Sequence, residues 1–250
     1  MEEIFEVCCG SYQDALNAYV GGAKRIELNS ALYLGGLTPS VSSLRLIKKN
    51  TDLKVICMVR PRPAGFYYNQ VEFKQMLCEA EELLVSGADG IAFGCLNLDY
   101  SINLNQLIKM GELIRKYRKE SVFHRAFDCT IDTTTAIEQL IKYKITRVLT
   151  SGQQENAVDG KQLIKKLQSN YGTKIEILAG SGIKVENVQE LIAFTGVTQL
   201  HASCKAFKTD PTTSGLQVSY GYHEGVHKND FEEVNSDIVE QLVTLVRKTI

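Results

Sequence analysis

The clearest sign of the fold is the segment Gly21-Gly22-Ala23-Lys24-Arg25-Ile26-Glu27-Leu28-Asn29 (residues 21–29). In it a glycine pair typical of a helix end is followed directly by a short predicted strand. Within that strand, Ile26 and Leu28 alternate with Glu27 and Asn29. Alternation of this kind is expected where one face of a strand meets helices and the other lines the interior of a barrel. We therefore expect Glu27 and Asn29 to point inward.

The same strand-then-helix unit recurs along the chain, at a spacing near the roughly 30 residues that one such unit needs. Eight near-equal units fit both a closed barrel and a doubly wound sheet, but the chain has no second zone of composition, which favours closure. The sequence predicts a single (β/α)8 TIM barrel over residues 1–250. The predicted strand runs are Phe5–Cys9, Arg25–Asn29, Lys54–Arg60, Gly90–Gly94, Ser121–Asp128, Arg147–Gly152, Lys174–Gly180 and Gln199–Cys204.

One segment departs from this pattern, between the eighth strand and the last helix. Residues 205–235 are rich in Thr, Ser, Gly and Tyr, and we interpret them as one long loop. Loops of this length are uncommon unless they are functional or partly disordered. The segment is either a lid over the barrel mouth or a flexible loop at its rim.

Composition narrows the possible functions. With 28 basic and 29 acidic residues the net charge is −1, so no overall field attracts nucleic acid or anionic lipid. No apolar run is long enough to span a membrane, and the first residues are acidic where a signal peptide would be basic. Seven cysteines without a C-x-x-C motif are typical of reduced thiols. We expect a cytoplasmic protein with no nucleic-acid or membrane partner.

Charged residues are predicted to meet inside the barrel. Strand alternation points Glu6, Glu27 and Arg60 inward, and gives His124 and Asp128 one shared face of the fifth strand. Active sites of this fold lie at the carboxyl ends of the strands. Glu27, His124 and Asp128 are therefore the candidate catalytic residues for proton transfer. The structural alternative is that Glu6, Glu27 and Arg60 only form buried ion pairs.

Several strand ends suit a small anionic ligand. Prolines stiffen the segment that carries Arg60 and Arg62, and paired arginines bind carboxylate or phosphate. Small residues at the ends of strands six to eight let backbone N–H groups approach a phosphate, although glycine-rich turns also serve tight geometry alone. The predicted substrate-binding residues are Glu6, Arg60, Arg62, Arg125, Thr150, Ser151, Gly152, Gly180, Ser181, Gly182, His201 and Ser203.

One thiol is a candidate metal ligand. Neighbouring residues of a strand point to opposite faces, so only one of Cys8 and Cys9 can enter the barrel, and alternation with Glu6 selects Cys8. Soft sulfur ligands bind Cu(I) and zinc.

Seven ordered motifs resemble the CutC copper homeostasis family of (β/α)8 barrels, over most of the chain. This resemblance implies a cytoplasmic protein that often self-associates and is linked to copper. It also implies Cu(I) binding by two inward cysteines on the first two strands: Cys8 matches one, whereas Asn29 stands where the family usually has the other. The motifs are Glu6-Val7-Cys8, Arg25-Ile26-Glu27-Leu28, residues 35–40 (Gly-Gly-Leu-Thr-Pro-Ser), Arg60-Pro61-Arg62, residues 123–128 (Phe-His-Arg-Ala-Phe-Asp), Leu149-Thr150-Ser151-Gly152 and Gly180-Ser181-Gly182.

Two functions follow from these observations. The first is a copper homeostasis protein that binds a copper ion through Cys8, with a homo-oligomeric assembly. The alternative is a lyase or isomerase that acts on a small phosphorylated or carboxylated metabolite at the barrel mouth.

Overall fold

The computed structural model describes residues 5–250 and confirms the closed barrel. Eight parallel strands pair in sequence order, and β1 closes the barrel by pairing with β8. The strands are β1 (Phe5–Cys9), β2 (Arg25–Leu28), β3 (Lys54–Met58), β4 (Gly90–Phe93), β5 (Glu120–Phe123), β6 (Arg147–Thr150), β7 (Glu176–Gly180) and β8 (Gln199–Ala202).

A helix follows each strand and covers the outside of the barrel. Side-chain caps fix several helix starts: Asn69 and Glu72 form a capping box, and Asp132 accepts hydrogen bonds from two backbone N–H groups. Among residues 5–250, none of the helices has the length and apolar character needed to cross a membrane. The helices are α1 (Tyr12–Val20), α2 (Val41–Asn50), α3 (Gln70–Val85), α4 (Leu104–Lys116), α5 (Thr133–Lys142), α6 (Lys161–Tyr171), α7 (Val188–Thr195) and α8 (Ser236–Thr249).

The barrel interior contains a charged layer and an apolar layer. The first residues of several strands form ion pairs inside the barrel, where Arg147 lies between Glu120 and Glu176. Above them lies a separate apolar cluster of Ile56, Met58, Ala92, Val122, Leu149 and Leu178. The apolar side chains of this cluster are buried, so they form packed core inside the barrel and not a channel.

The fifth strand is shorter than predicted. It ends at Phe123, and His124 begins a 3-10 helix over Arg125–Cys129. His124 Nδ1 accepts a hydrogen bond from Ala126 N at 3.1 Å, which turns the chain out of the extended conformation. The predicted shared face of His124 and Asp128 is therefore wrong, because strand alternation no longer applies beyond Phe123.

The segment 205–235 is not one continuous loop. It contains two antiparallel strands, β9 (Lys205–Thr209) and β10 (Asp230–Val234), with a 3-10 turn between them. Val234 is tied to α1, since its N–H donates to Asp14 Oδ1 and its carbonyl accepts from Asn17 Nδ2, both at 2.8 Å. The sequence signal for these strands is weak because β9 is mostly exposed, β10 is only half-buried, and both carry charged side chains.

Candidate functional site

A cavity of about 900 Å³ opens at the carboxyl ends of the barrel strands. The inward residues of the strands form its floor, and the β9–β10 hairpin contributes part of its wall. The structure therefore brings together many of the residues predicted for the site. Those that line the cavity are Cys8, Glu27, Arg60, His124, Arg125, Ser181, Gly182, His201 and Ser203.

Three of these residues are close enough to share one metal ion. Potential ligand atoms of Cys8, Glu27 and His201 all lie within 4.8 Å of one another. The strand register explains their proximity: Cys8 pairs directly with Glu27, and Glu6 pairs with His201. In the described part of the chain this is the one group of three such side chains with that geometry.

Glu6 lies beneath this group and orients His201. The Glu6 carboxylate accepts a hydrogen bond from His201 Nδ1 at 2.8 Å and forms an ion pair with Arg25 Nε at 2.7 Å. Burial alone would raise the pKa of Glu6, but Arg25 and His201 hold that pKa at about 2. Because Nδ1 is engaged with a carboxylate, Nε2 is the nitrogen of His201 that is left to bind a ligand.

The protonation of these groups reflects their burial. Burial would lower the pKa of His201, but hydrogen bonds to Cys8 and Glu6 raise it well above its usual value. Burial raises the pKa of the Cys8 thiol and also that of the Glu27 carboxyl. Because a metal binds the thiolate form of cysteine, binding at Cys8 would release the thiol proton.

Asn29 occupies the position where the family resemblance implies a second cysteine. Its Nδ2 donates to Glu27 Oε2 at 2.9 Å and approaches Cys8 Sγ at 3.6 Å. Gly36, at φ +83°, leaves room for this side chain, because a Cβ added there would lie 2.4 Å from Asn29 Oδ1. Asn29 therefore holds Glu27 in place beside Cys8 and supplies no second sulfur.

Arg60 is buried at the cavity wall and has no acidic partner among residues 5–250. Its Nη1 donates to the carbonyls of Leu34 and Gly36, both at 3.0 Å, and its Nη2 donates to the carbonyl of Ala64. Its Nε–H has no hydrogen-bond partner among the described residues. The structure therefore does not form the buried ion pairs expected between Arg60 and the acids Glu6 and Glu27.

His124 lines the cavity as a neutral imidazole. Burial, together with the nearby positive charge of Arg60, lowers the pKa of His124 to about 3. Gly94 makes room for this ring, because a Cβ added at Gly94 would lie 2.5 Å from His124 Cε1. Since Nδ1 accepts from Ala126, the proton of the neutral ring sits on Nε2, which is buried without a partner.

Asp128 does not line the cavity. Both of its carboxylate oxygens bind the loop after β6, where they accept hydrogen bonds from Ser151 N and Oγ, Thr150 Oγ1 and Gln153 N. The carboxylate also forms an ion pair with Arg125. Thr150, Ser151 and Gly152 likewise lie outside the cavity lining, in this network. These contacts fit a structural role for Asp128 better than the predicted catalytic one.

The predicted anion-binding residues are only partly brought together. Arg62 lies away from the cavity, where Glu72 pairs with it at 2.5 Å. Gly180 packs close to Leu149, and Ser181 Oγ donates to the carbonyl of Glu155. The phosphate-binding cluster expected at strands six to eight is thus split, and its side chains are largely used within the loops.

Phe66 and Met58 line the cavity but are outside the set of predicted site residues. Phe66 follows the Arg-Pro-Arg-Pro segment, and its ring centre lies 5.0 Å from that of His124 and 5.4 Å from the guanidinium of Arg60. Met58 lines the floor. Alternation along β3 could have indicated Met58, whereas the loop that positions Phe66 has no periodic pattern to read.

Comparison with known proteins agrees with the fold and the motifs. The CutC family model matches residues 3–206. A CutC family protein of Treponema denticola is 46% identical over 220 residues, which cover 86% of this chain and 87% of that protein. A protein named copper homeostasis protein cutC homolog, from Caenorhabditis elegans, is 34% identical over 92% of this chain and 91% of its own.

A solved structure gives the same result. The structure of CutC from Streptococcus agalactiae superposes with a TM-score of 0.76 at 27% identity and covers 81% of this chain and 99% of its own. With a family model that spans most of the sequence and relatives of high identity at nearly full length, this chain belongs to the CutC family.

Proposed function

We propose that this CutC family protein binds a copper ion at the floor of its barrel cavity, with Cys8 and His201 as ligands. The observation that carries the proposal is the convergence of Cys8, His201 and Glu27 within 4.8 Å in a buried site. The choice of metal comes from relatives that are named copper homeostasis proteins.

The chemistry of the donors fits a soft or borderline metal. Thiolate and imidazole are ligands that Cu(I) accepts, and two of them suffice for that ion, so the asparagine at position 29 does not exclude copper. Glu6 hydrogen-bonds the far nitrogen of His201, which is how carboxylates commonly orient a metal-binding imidazole. Cys8 Sγ lies 3.9 Å from Glu27 Oε2, so this carboxylate can accept the proton that the thiol must lose.

The lyase or isomerase alternative has less support. Of its three predicted proton-transfer residues, only Glu27 and His124 line the cavity, while Asp128 is bound to the β6 loop. The predicted phosphate-binding residues are only partly brought together, which removes a second argument for the enzyme.

A Cu(I) competition titration of the reduced protein tests the copper proposal. We expect one tight site that is lost in Cys8→Ala and weakened in His201→Gln, with Zn²⁺ titrated in parallel to establish the choice of metal. Cys9→Ala is the matched control, because Cys9 neighbours Cys8 but lies buried in the core between strands and helices. Tight binding of one Cu(I) that survives in Cys8→Ala would refute the proposed ligands.

The expected location and assembly belong to the same proposal. All seven cysteines are free, which suits a reducing compartment, and we propose a cytoplasmic location. The family resemblance implies self-association, so we also propose a homo-oligomer. Cell fractionation and sedimentation velocity of the purified protein test these two points, and a monomer at all concentrations would contradict the second.

A further inference from the structure

Four buried polar atoms on one side of the cavity lack any hydrogen-bond partner among residues 5–250. They are Glu27 Oε1, Asn29 Oδ1, Arg60 Nε and His124 Nε2, and all four side chains line the same cavity. A buried polar atom without a partner costs about 1–3 kcal/mol, so native proteins contain few of them. Their concentration at one cavity indicates a site built for a polar ligand.

The four side chains form a continuous arc around the barrel mouth. Glu27 is hydrogen-bonded to Asn29, and Asn29 packs against Gly36, whose carbonyl accepts from Arg60 Nη1. The arc continues from Arg60 to His124 through the ring of Phe66, which contacts both. The four cavity-lining side chains thus come from β2 and from the segments that follow β2, β3 and β5.

The buried positive charge of Arg60 favours an anionic group in the ligand. Arg60 is only 6% exposed, and among the described residues it makes no ion pair: its guanidinium donates to three carbonyls and approaches the Tyr68 hydroxyl. A buried charge without a counter-ion is costly. His124, as a neutral ring with its proton on Nε2, offers a second donor near Arg60.

The two acceptor oxygens on this side of the cavity favour hydroxyl groups in the ligand. Within the described part of the chain, no donor lies within hydrogen-bonding distance of Glu27 Oε1 or Asn29 Oδ1. Hydroxyl groups are neutral donors, and each can satisfy one of these two oxygens. A ligand that carries a carboxylate at one end and hydroxyl groups at the other satisfies all four atoms.

We propose that the cavity binds a small hydroxycarboxylate, whose carboxylate accepts hydrogen bonds from Arg60 Nε and His124 Nε2 and whose hydroxyl groups donate to Glu27 Oε1 and Asn29 Oδ1. The cavity, at about 900 Å³, has room for a molecule as large as a sugar acid. This site goes beyond copper binding: Arg60 and His124 are not among the proposed copper ligands, and Glu27 is the residue that the two sites share.

Calorimetric titration of the metal-free protein, kept in chelator, tests this proposal with glycerate and gluconate as probes. Glycerol lacks the carboxylate, acetate lacks the hydroxyl groups, and inorganic phosphate and serine represent the competing anion and the amino acid. We expect saturable binding of at least one hydroxycarboxylate and weaker or no binding of the four other compounds. Because no metal is present, the outcome is independent of the copper titration.

The variant His124→Asn isolates one contact. Asparagine keeps an acceptor for Ala126 N, as an N-cap residue should, but does not reach the position of Nε2. We expect affinity to fall by about tenfold or more, the loss of one hydrogen bond to a charged group. His227→Asn, on the β9–β10 hairpin and outside the cavity lining, is the matched control and should bind normally.

A measurement on the unaltered chain complements the variants: the NMR signal of the His124 Nε2 proton should shift when the hydroxycarboxylate binds. The proposal is overturned if no hydroxycarboxylate binds, if phosphate or serine binds more tightly, or if His124→Asn binds as well as the wild type.

Discussion

The buried neutral ring of His124 should make the protein less stable in mild acid, and His124→Asn should remove that loss. The unfolded chain takes up a proton at this histidine below pH 6.5, whereas the folded protein does so only near pH 3. Since the folded pKa is depressed, its contribution to stability is complete above pH 6.5 and is lost as the pH falls toward 3.

The size of this effect follows from the two pKa values. Between pH 7 and pH 5, the unfolded state gains about 2 kcal/mol of free energy from protonating His124, because each pKa unit corresponds to about 1.4 kcal/mol. Asparagine does not titrate in this range, and it keeps the hydrogen bond from Ala126 that begins the 3-10 helix. Any cavity left by the smaller side chain destabilises the variant equally at both pH values.

Urea unfolding followed by circular dichroism at pH 7 and pH 5 provides the assay. The free energy of unfolding of the wild type should fall by about 2 kcal/mol more than that of His124→Asn over this interval. All other titrating groups, including His201, are present in both proteins and cancel in the difference. Equal pH dependence of the two proteins would show that His124 is not buried as a neutral ring, and the reasoning would fail.

Three further substitutions test the site and its support. Glu6→Gln should lower the free energy of unfolding by about 1.5–3 kcal/mol in chemical denaturation, because a neutral amide replaces the carboxylate that accepts from Arg25 Nε and His201 Nδ1; no measurable loss would contradict this. Gly94→Ala should cost about 1–3 kcal/mol, since its methyl group would overlap the His124 ring, and a crystal structure with an unmoved ring would contradict that reason. Asp128→Ala should lower stability by about 3 kcal/mol through the donors left unpaired in the β6 loop, while Cu(I) affinity stays unchanged; a lost copper site would place Asp128 in the binding machinery.

Alternation along the strands predicted the inner face of the barrel where a strand persists. Glu27, Cys8 and His201 lie in regular β1, β2 and β8, and the structure places all three at the cavity. The same reasoning fails at Asp128, because His124 ends the extended conformation with a local hydrogen bond to Ala126. A period of two carries information only while the backbone stays extended.

The sequence did not show which of the buried charged residues pair with one another. Glu6, Glu27 and Arg60 were expected to meet, yet Glu6 pairs with Arg25 and His201, and Arg60 binds carbonyls. Inward-pointing residues of a barrel occupy different layers, and the layer depends on strand tilt and register. Those quantities arise only when all eight strands close.

Local periodicity and ordered motifs were enough to predict the eight strand–helix units, the closed barrel, the inward orientation of Cys8 and Glu27, and the CutC family. The folded arrangement was needed to find that Glu6 supports His201, that Asp128 holds the β6 loop, and that four polar atoms without a partner among residues 5–250 belong to side chains of one cavity. Hydrogen-bond partners of buried side chains are set by distances between distant segments, and those distances exist only in the folded chain.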